Sequence, residues 1–502
     1  QIRGRRVGTI EHTDVGDPAP PDDSVGRREA LGLVAVVTAL TVLFRLPAFF
    51  VAVFNSDEPF LATQGMVLRH GGALYRDAVD RKPPLVPYLY AAVQWVTGTD
   101  ALWAVRVVAM LAVIVTALLL AWEGYRRAGR TAMWCAGILT VVAVVALAPQ
   151  DGQAANFEIF MLPFTVAAVV LARRGRGTGA GASVALATLA KQTGAATLLP
   201  VVWSMWRRRR GRGLATVALG FGAVLAVAAA LLGPSRLVYW TVTGNGSYVS
   251  LGSEALRMLG MFAVMTIAWL LCNLPIVWPL PRAWRDRRRV ETDGLPDTDL
   301  WWWVLAGAVS VVFGFRFFGH YYLQLVPPVA LLAAVTLARA SRRAVRGTLA
   351  LALVAGVGFG VVGFLFTPFG EDAPYRATAA WIRRHTGPDD RVLVWGNVPE
   401  ITWAAERLPG SRFAATGSLV TGNHAGRSEV PSFDAIDPQI WRWLLHDLRA
   451  HPPAYVVDTS PADVRGSGAT PIRSYPPVRR WLTDHYHRVT TIDGYAIWAR
   501  ND

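Results

Sequence analysis

Long apolar runs, each closed by a short polar or basic patch, fill the chain from about residue 31 to residue 369. A helix needs about 18–20 apolar residues to cross a bilayer. Runs approaching or exceeding that length occupy 31–54, 103–125, 132–148, a segment from Phe157, 214–232, 258–280, 300–315, a segment from Tyr321, and 347–369. The stretch 179–206 is also apolar, yet Arg176 precedes it and Arg207 to Arg210 follow it. Lys191-Gln192-Thr193-Gly194 interrupts its middle. A charge at bilayer depth costs about 2.5–3.5 kcal/mol, so the break predicts a hairpin of two short helices. Residues 85–96 are apolar but too short to span, and Tyr88, Tyr90 and Trp95 predict a helix lying at the interface. The expectation is an all-α polytopic membrane domain, 29–369, with about 11 membrane segments including the hairpin.

The pattern changes outside that region. Residues 1–28 are polar and read as a disordered cytoplasmic tail. No small-residue cleavage site follows the first apolar run, which predicts an uncleaved anchor. Beyond 370, amphipathic helix patterns at 375–385, 439–451 and 478–486 alternate with strand-like runs at 391–395, 454–458 and 495–499. Such alternation predicts a small C-terminal α/β domain, 370–502.

Charge then orients the chain. The sequence is 53% hydrophobic with a formal net charge of +15. The arginines cluster at 126–130, 173–176, 207–212, 282–289 and 339–346, between apolar runs, and threading puts every cluster on one side. That is the positive-inside pattern, and it argues against nucleic-acid binding. It predicts a multi-pass cell-membrane protein with its N-terminus cytoplasmic and its C-terminal domain extracytoplasmic. The two cysteines, Cys135 and Cys272, lie in apolar stretches and predict neither a disulfide framework nor a thiolate metal site.

The remaining polar residues gather in the outer loops. The first loop reads Asn55-Ser56-Asp57-Glu58-Pro59, then Asp80-Arg81-Lys82-Pro83-Pro84-Leu85. Asp57 and Glu58 suit a helix N-terminus, where carboxylates complement the dipole. A rigid Pro-Pro step fixes the direction of Lys82 and suits it to a lipid phosphate.

This order resembles the GT-C glycosyltransferases of the protein O-mannosyltransferase and lipid A aminoarabinose transferase type. Gly98-Thr99-Asp100-Ala101 with Arg106, Asn156-Phe157-Glu158, Ala190-Lys191-Gln192-Thr193, and Arg316 with Gly319-His320-Tyr321-Tyr322 resemble further landmarks of that family, in order. The resemblance covers about residues 30–370 and implies a GT-C membrane domain. It implies an inverting transfer of a sugar from a polyprenyl-phosphate donor to a cell-envelope glycan, lipid or protein acceptor. It also implies Asp57 as base, with Glu58 and Glu158 positioning substrates. Lys82, Arg316, His320 and Tyr321 would hold the donor phosphate. Asp151, Asn156, Lys191 and Tyr248 would line the substrate path. The family has a Glu before the Lys that resembles a metal ligand; this chain has Arg81 there. No cofactor is required by the sequence, and a divalent metal stays open. The alternatives are a transporter or flippase for a lipid-linked intermediate, and a noncatalytic scaffold. A transporter should carry ionisable residues near mid-membrane, and only Lys191 is clearly there.

Overall fold

The computed structural model describes residues 25–245, 255–287, 291–292, 295–313, 315–365, 373–423 and 430–501. Tyr248 lies outside the described residues, as does most of the N-terminal tail.

The membrane region is helical. Helix α1 (Arg27–Phe44) is followed by α2 (Asp57–Arg69), α3 (Leu85–Thr97), α4 (Leu102–Val145), α5 (Pro149–Gly152), α6 (Phe157–Arg173) and α7 (Gly177–Ala190). Then come α8 (Leu198–Leu232), α9 (Pro234–Thr241), α10 (Ala255–Cys272), α11 (Leu274–Val277) and α12 (Leu280–Asp286). A short antiparallel pair, β1 (Glu291–Thr292) and β2 (Leu295–Pro296), precedes α13 (Thr298–Val312), α14 (Val326–Leu337) and α15 (Arg342–Leu365). Trp95 and Val96 at the end of α3 are each 77% exposed, whereas Tyr90, expected as an interface anchor, is buried and donates its hydroxyl to the Ala155 carbonyl (2.7 Å).

Among the described residues four helical stretches are long and apolar enough to cross a membrane, five if the bent pair α10 and α11–α12 counts. The expected eleven segments are not reproduced by length and composition. One reason is that α4 and α8 each carry two expected spans. Helix α4 breaks at Ala128 and Gly129, where Gly129 takes φ 74°. Its halves fold back, so that Gly124 sits against the Ala132 carbonyl. Helix α8 breaks at Arg210, at φ 48°. A second correction concerns the span expected at 258–280. It is bent by 84° after Cys272. Pro275 in the first turn of α11, followed by Pro279 and Pro281, removes the N–H groups a continuous helix needs.

Small residues set the tightest crossing. A Cβ at Gly181 would come 2.0 Å from the Val217 carbonyl oxygen, and one at Gly220 would come 2.0 Å from that of Thr178. Helices α7 and α8 therefore meet backbone to backbone, the usual device where lipid tails give no hydrophobic drive.

At one end of the bundle, charges are buried in a knot. Arg127 on α4 bonds Glu123 (2.9 Å), Asp297 (2.8 Å) and Asp299 (2.7 Å), and Arg173 on α6 lies 3.5 Å from both aspartates. These arginines are structural pins.

The C-terminal part is a mixed sheet in the order β4-β3-β5-β7-β6, from β3 (Arg391–Trp395), β4 (Leu408–Pro409), β5 (Tyr455–Asp458), β6 (Tyr486–Ile492) and β7 (Tyr495–Arg500). Strands β4, β3 and β5 run parallel, and β7 pairs antiparallel with both β5 and β6. Helices α16 (Arg376–His385), α17 (Pro399–Ala405), α18 (Pro438–Ala450) and α19 (Pro476–His485) complete it. This part sits on the first loop: α17 packs on α2, Trp403 Nε1 donates to the Asp100 carbonyl (2.9 Å), and Val79 N donates to the Arg412 carbonyl (3.1 Å).

Candidate functional site

A cavity of about 780 Å³ lies between the first loop, helices α7 to α9, the segment around His320, and the C-terminal part. Asp57, Lys82, Lys191, His320 and Tyr321 all line it, although they come from three distant stretches of chain. Leu225, Ala229, Leu237, Val238 and Phe313 give it an apolar side.

Local structure fixes each polar residue. Asn55 Oδ1 accepts the Asp57 N–H (2.9 Å), which starts α2 with Asp57 at its mouth. Lys82 is held by its own carbonyl, which accepts from the Tyr75 hydroxyl (2.8 Å), and by the prolines that follow. Its ammonium lies 3.2 Å from Asp57 Oδ2 and 4.2 Å from the centre of the Phe157 ring. Lys191 sits at the break after α7, pairs with Glu158, and lies 3.8 Å above the Tyr321 ring. His320 N and Nδ1 both donate to Asp151 Oδ1 (2.8 and 2.9 Å). A carboxylate only accepts, so Nδ1 carries the proton. Gly319 is required there: a Cβ would come 2.1 Å from Asp151 Oδ2.

The pairs share an arrangement. Lys191, His320 and Arg465 are on the wall, while their carboxylates Glu158, Asp151 and Glu400 are not among the lining residues. The carboxylates that do line the cavity are Asp57 and Asp80. Burial alone pushes the Asp57 carboxyl up, but Lys82, then His320 and Lys191, outweigh it and hold it below the ordinary carboxylate range. Burial raises Asp80 to about 6; Lys82 opposes that shift and Asp57 adds to it.

Other expected site residues lie elsewhere. Glu58, next to Asp57, is fully buried and turned onto Arg106, whose Nε and NH2 groups lie 2.8 and 2.6 Å from its oxygens. It also accepts from Ala155 N (2.9 Å) and Phe54 N (3.3 Å). With that partner set it braces the loops and does not reach the cavity wall. Asn156 caps α6 through Ile159 N (3.4 Å) and donates to the Asp151 carbonyl (3.2 Å). Arg316 is 2% exposed and is not among the lining residues. Its loop carries Phe315 and Phe317 at φ 53° and 48°, a strained turn that the sequence did not announce.

No family model matches this sequence, and no curated protein matches it. Solved structures do. The crystal structure of ArnT from Cupriavidus metallidurans bound to undecaprenyl phosphate matches with a TM-score of 0.63 at 14% identity, over 94% of this chain and 98% of that one. Its apo state gives 0.61 at 15%. The Archaeoglobus fulgidus oligosaccharyltransferase in complex with zinc and sulfate gives 0.58 at 14%, over 93% of this chain and 73% of that one. This chain has the GT-C fold.

The match runs into the C-terminal part, which the sequence resemblance did not reach. That part supplies Asn397, Pro399, Ala415, Ser418, Leu419 and Arg465 to the cavity wall. Sequence reasoning missed them, since nothing about a polar residue in a variable domain marks it as facing a distant loop. Arg465 is held by Glu400 (2.8 Å) at a backbone φ of 53°. A divalent metal fits this cavity poorly: among the described residues no group of three His, Cys, Asp or Glu side chains is placed to hold an ion, and Asp151 and Glu158 near His320 are taken up by His320 and Lys191. Arg81 also lines the cavity where the resemblance places a carboxylate.

Proposed function

We propose that this chain is an integral membrane glycosyltransferase. It moves a sugar from a polyprenyl-phosphate donor to a hydroxyl acceptor on the extracytoplasmic face, with inversion and with Asp57 as base. The observation that carries the reading is an ionised carboxylate on the wall of a cavity whose other charged groups are mostly cations. The structures of ArnT bound to undecaprenyl phosphate and of an archaeal oligosaccharyltransferase in complex with a dolichol-phosphate support a lipid-phosphate donor.

The chemistry runs as a single displacement. The acceptor oxygen forms a bond to the anomeric carbon, the bond from that carbon to the phosphate oxygen breaks, and the acceptor proton passes to Asp57. Polyprenyl phosphate leaves with the bonding electron pair. Its growing charge is met by cations that are already fixed, which stabilises the transition state more than the bound donor. Inversion needs base and phosphate on opposite faces of that carbon. Asp57 and Lys82 are in contact, so their pair opens when a donor enters: Lys82 follows the phosphate and Asp57 is left to the acceptor. A carrier for the same lipid would need the cations but has no use for a carboxylate base on the wall.

The test is native mass spectrometry of the chain extracted in mild detergent, with turnover measured on the same samples. Asp57→Asn is expected to retain a sugar-loaded polyprenyl phosphate and to lose about 10²–10⁴-fold in turnover, the usual worth of a general base. Lys82→Ala is expected to lose the lipid. Near-normal turnover in Asp57→Asn would overturn the assignment.

A further inference from the structure

Asp80 has no part in the reaction as derived above, yet it lines the same cavity as Asp57. It is 5% exposed. Its Oδ1 accepts the neighbouring Arg81 N–H (2.7 Å), which fixes the carboxyl group. Its Oδ2 is buried and, among the described residues, has no hydrogen-bond partner. Buried carboxylate oxygens are normally satisfied, and an orphan at a cavity calls for a donor that arrives with a ligand. The other carboxylates around this site are already engaged: Asp57 by Lys82, Glu158 by Lys191, Asp151 by His320 and Glu400 by Arg465.

We propose that Asp80 is a substrate-contacting specificity residue, taking a hydroxyl or ammonium hydrogen of the sugar being transferred. This rests on the glycosyltransferase reading of the cavity. The complementary group cannot be the donor phosphate, because two anions in a buried site repel. It must carry an O–H or N–H, which the sugar does and the phosphate diester does not; the attacking acceptor hydroxyl is already assigned to Asp57. A site built around such a contact rejects a sugar lacking the group far more strongly than an apolar pocket rejects a misfit. The groups around Asp80 agree: Lys82 and Arg81 supply positive charge, while burial first, and then Asp57, keep its own charge costly until a donor satisfies it.

The experiment uses the full chain in nanodiscs and four probes: undecaprenyl phosphate, and the same lipid phosphate carrying mannose, glucose or arabinose. The readout is the preference for a sugar-bearing lipid over the bare one. The wild type is expected to favour at least one sugar lipid by about 10-fold or more. Asp80→Asn should abolish that preference and leave affinity for bare undecaprenyl phosphate within about 2-fold, which also reports that the variant is folded. Asp80→Glu should recover part of it. Lys82→Ala should weaken all probes together. An Asp80→Asn chain that keeps the preference overturns the proposal, as does a wild type with no preference, or an equal loss for bare lipid. A wild type that binds none of the four overturns the lipid-phosphate reading as well. Normal bare-lipid binding with no sugar preference sinks only the role of Asp80.

Discussion

Two aspartates on one wall are pushed in opposite directions, and this makes their effects on stability separable. Burial raises Asp80 to about 6, above the ordinary carboxylate value of 3.8. Between those values the folded chain holds a proton that the unfolded chain has released, so Asp80 lowers stability as pH rises through that window. Asp57 is depressed, so its contribution to stability is present above 3.8 and is lost as pH falls. Asp80→Asn should therefore raise the melting midpoint at pH 7.5, by an amount equivalent to ~3 kcal/mol at most, with the gain shrinking toward pH 4. Asp57→Asn should lower the midpoint at pH 7.5, because Lys82 loses its partner. A gain for Asp80→Asn that is the same at both pH values would refute the assignment of the charge. The sequence made Asp57 and Lys82 legible through residue type beside a membrane run. It could not make Asp80 legible, since its oddness is an unmet hydrogen bond, and that exists only in three dimensions.

Elements decide which of two adjacent residues faces the cavity. Successive residues on an α-helix point about 100° apart. At the start of α2 this sends Asp57 to the cavity and Glu58 inward to Arg106 on α4. The Asp-Glu doublet was readable in the sequence, but the split of roles within it depends on how α2 is rotated by its packing on α3 and α17. Glu58 and Arg106 are both almost fully buried, and breaking such a pair by removing one partner costs about 3–5 kcal/mol. Glu58→Gln and Arg106→Met should each markedly lower the melting midpoint, and the double variant Glu58→Leu/Arg106→Met should not restore it, because Ala155 N and Phe54 N lose their acceptor and the Ala48, Val51 and Ala52 carbonyls lose their donor. If Glu58→Gln instead kept its stability and lost turnover, Glu58 would belong with substrate after all. The same blindness to rotation hid the knot at Arg127 and Arg173: the clusters read as side-of-membrane markers, while the partners Asp297 and Asp299 lie over 120 residues away in the chain. In the C-terminal part, strands at 391–395, 455–458 and 495–500 stood close to the apolar runs that announced them. Strand β6 did not, because as an edge strand with most of its residues exposed or half-exposed it lacks an apolar run.

At the scale of the molecule the charges sort into two ends. Arg282 donates to the Arg339 carbonyl (3.2 Å), and both line one small hollow with Arg287 and Asp297. Asp297 in turn meets Arg127 and Arg173. Four of the five arginine clusters are thereby joined at one end. The Asp57 cavity and the mixed sheet share another region, tied by α17 on α2 and by Trp403 on Asp100. Short loops rich in Lys and Arg stay in the cytoplasm, so the arginine end is expected inside and the cavity outside, where a polyprenyl-linked sugar would be presented. Single cysteines at exposed positions test this in a Cys272→Ser background; the remaining cysteine, Cys135, is buried. An impermeant maleimide should label Asp434→Cys in intact spheroplasts and Arg343→Cys only after lysis, both positions being exposed. The reverse pattern would place the cavity in the cytoplasm. There the donor would have to present its sugar on the inner leaflet, and the outer-face reaction proposed for Asp57 could not take place.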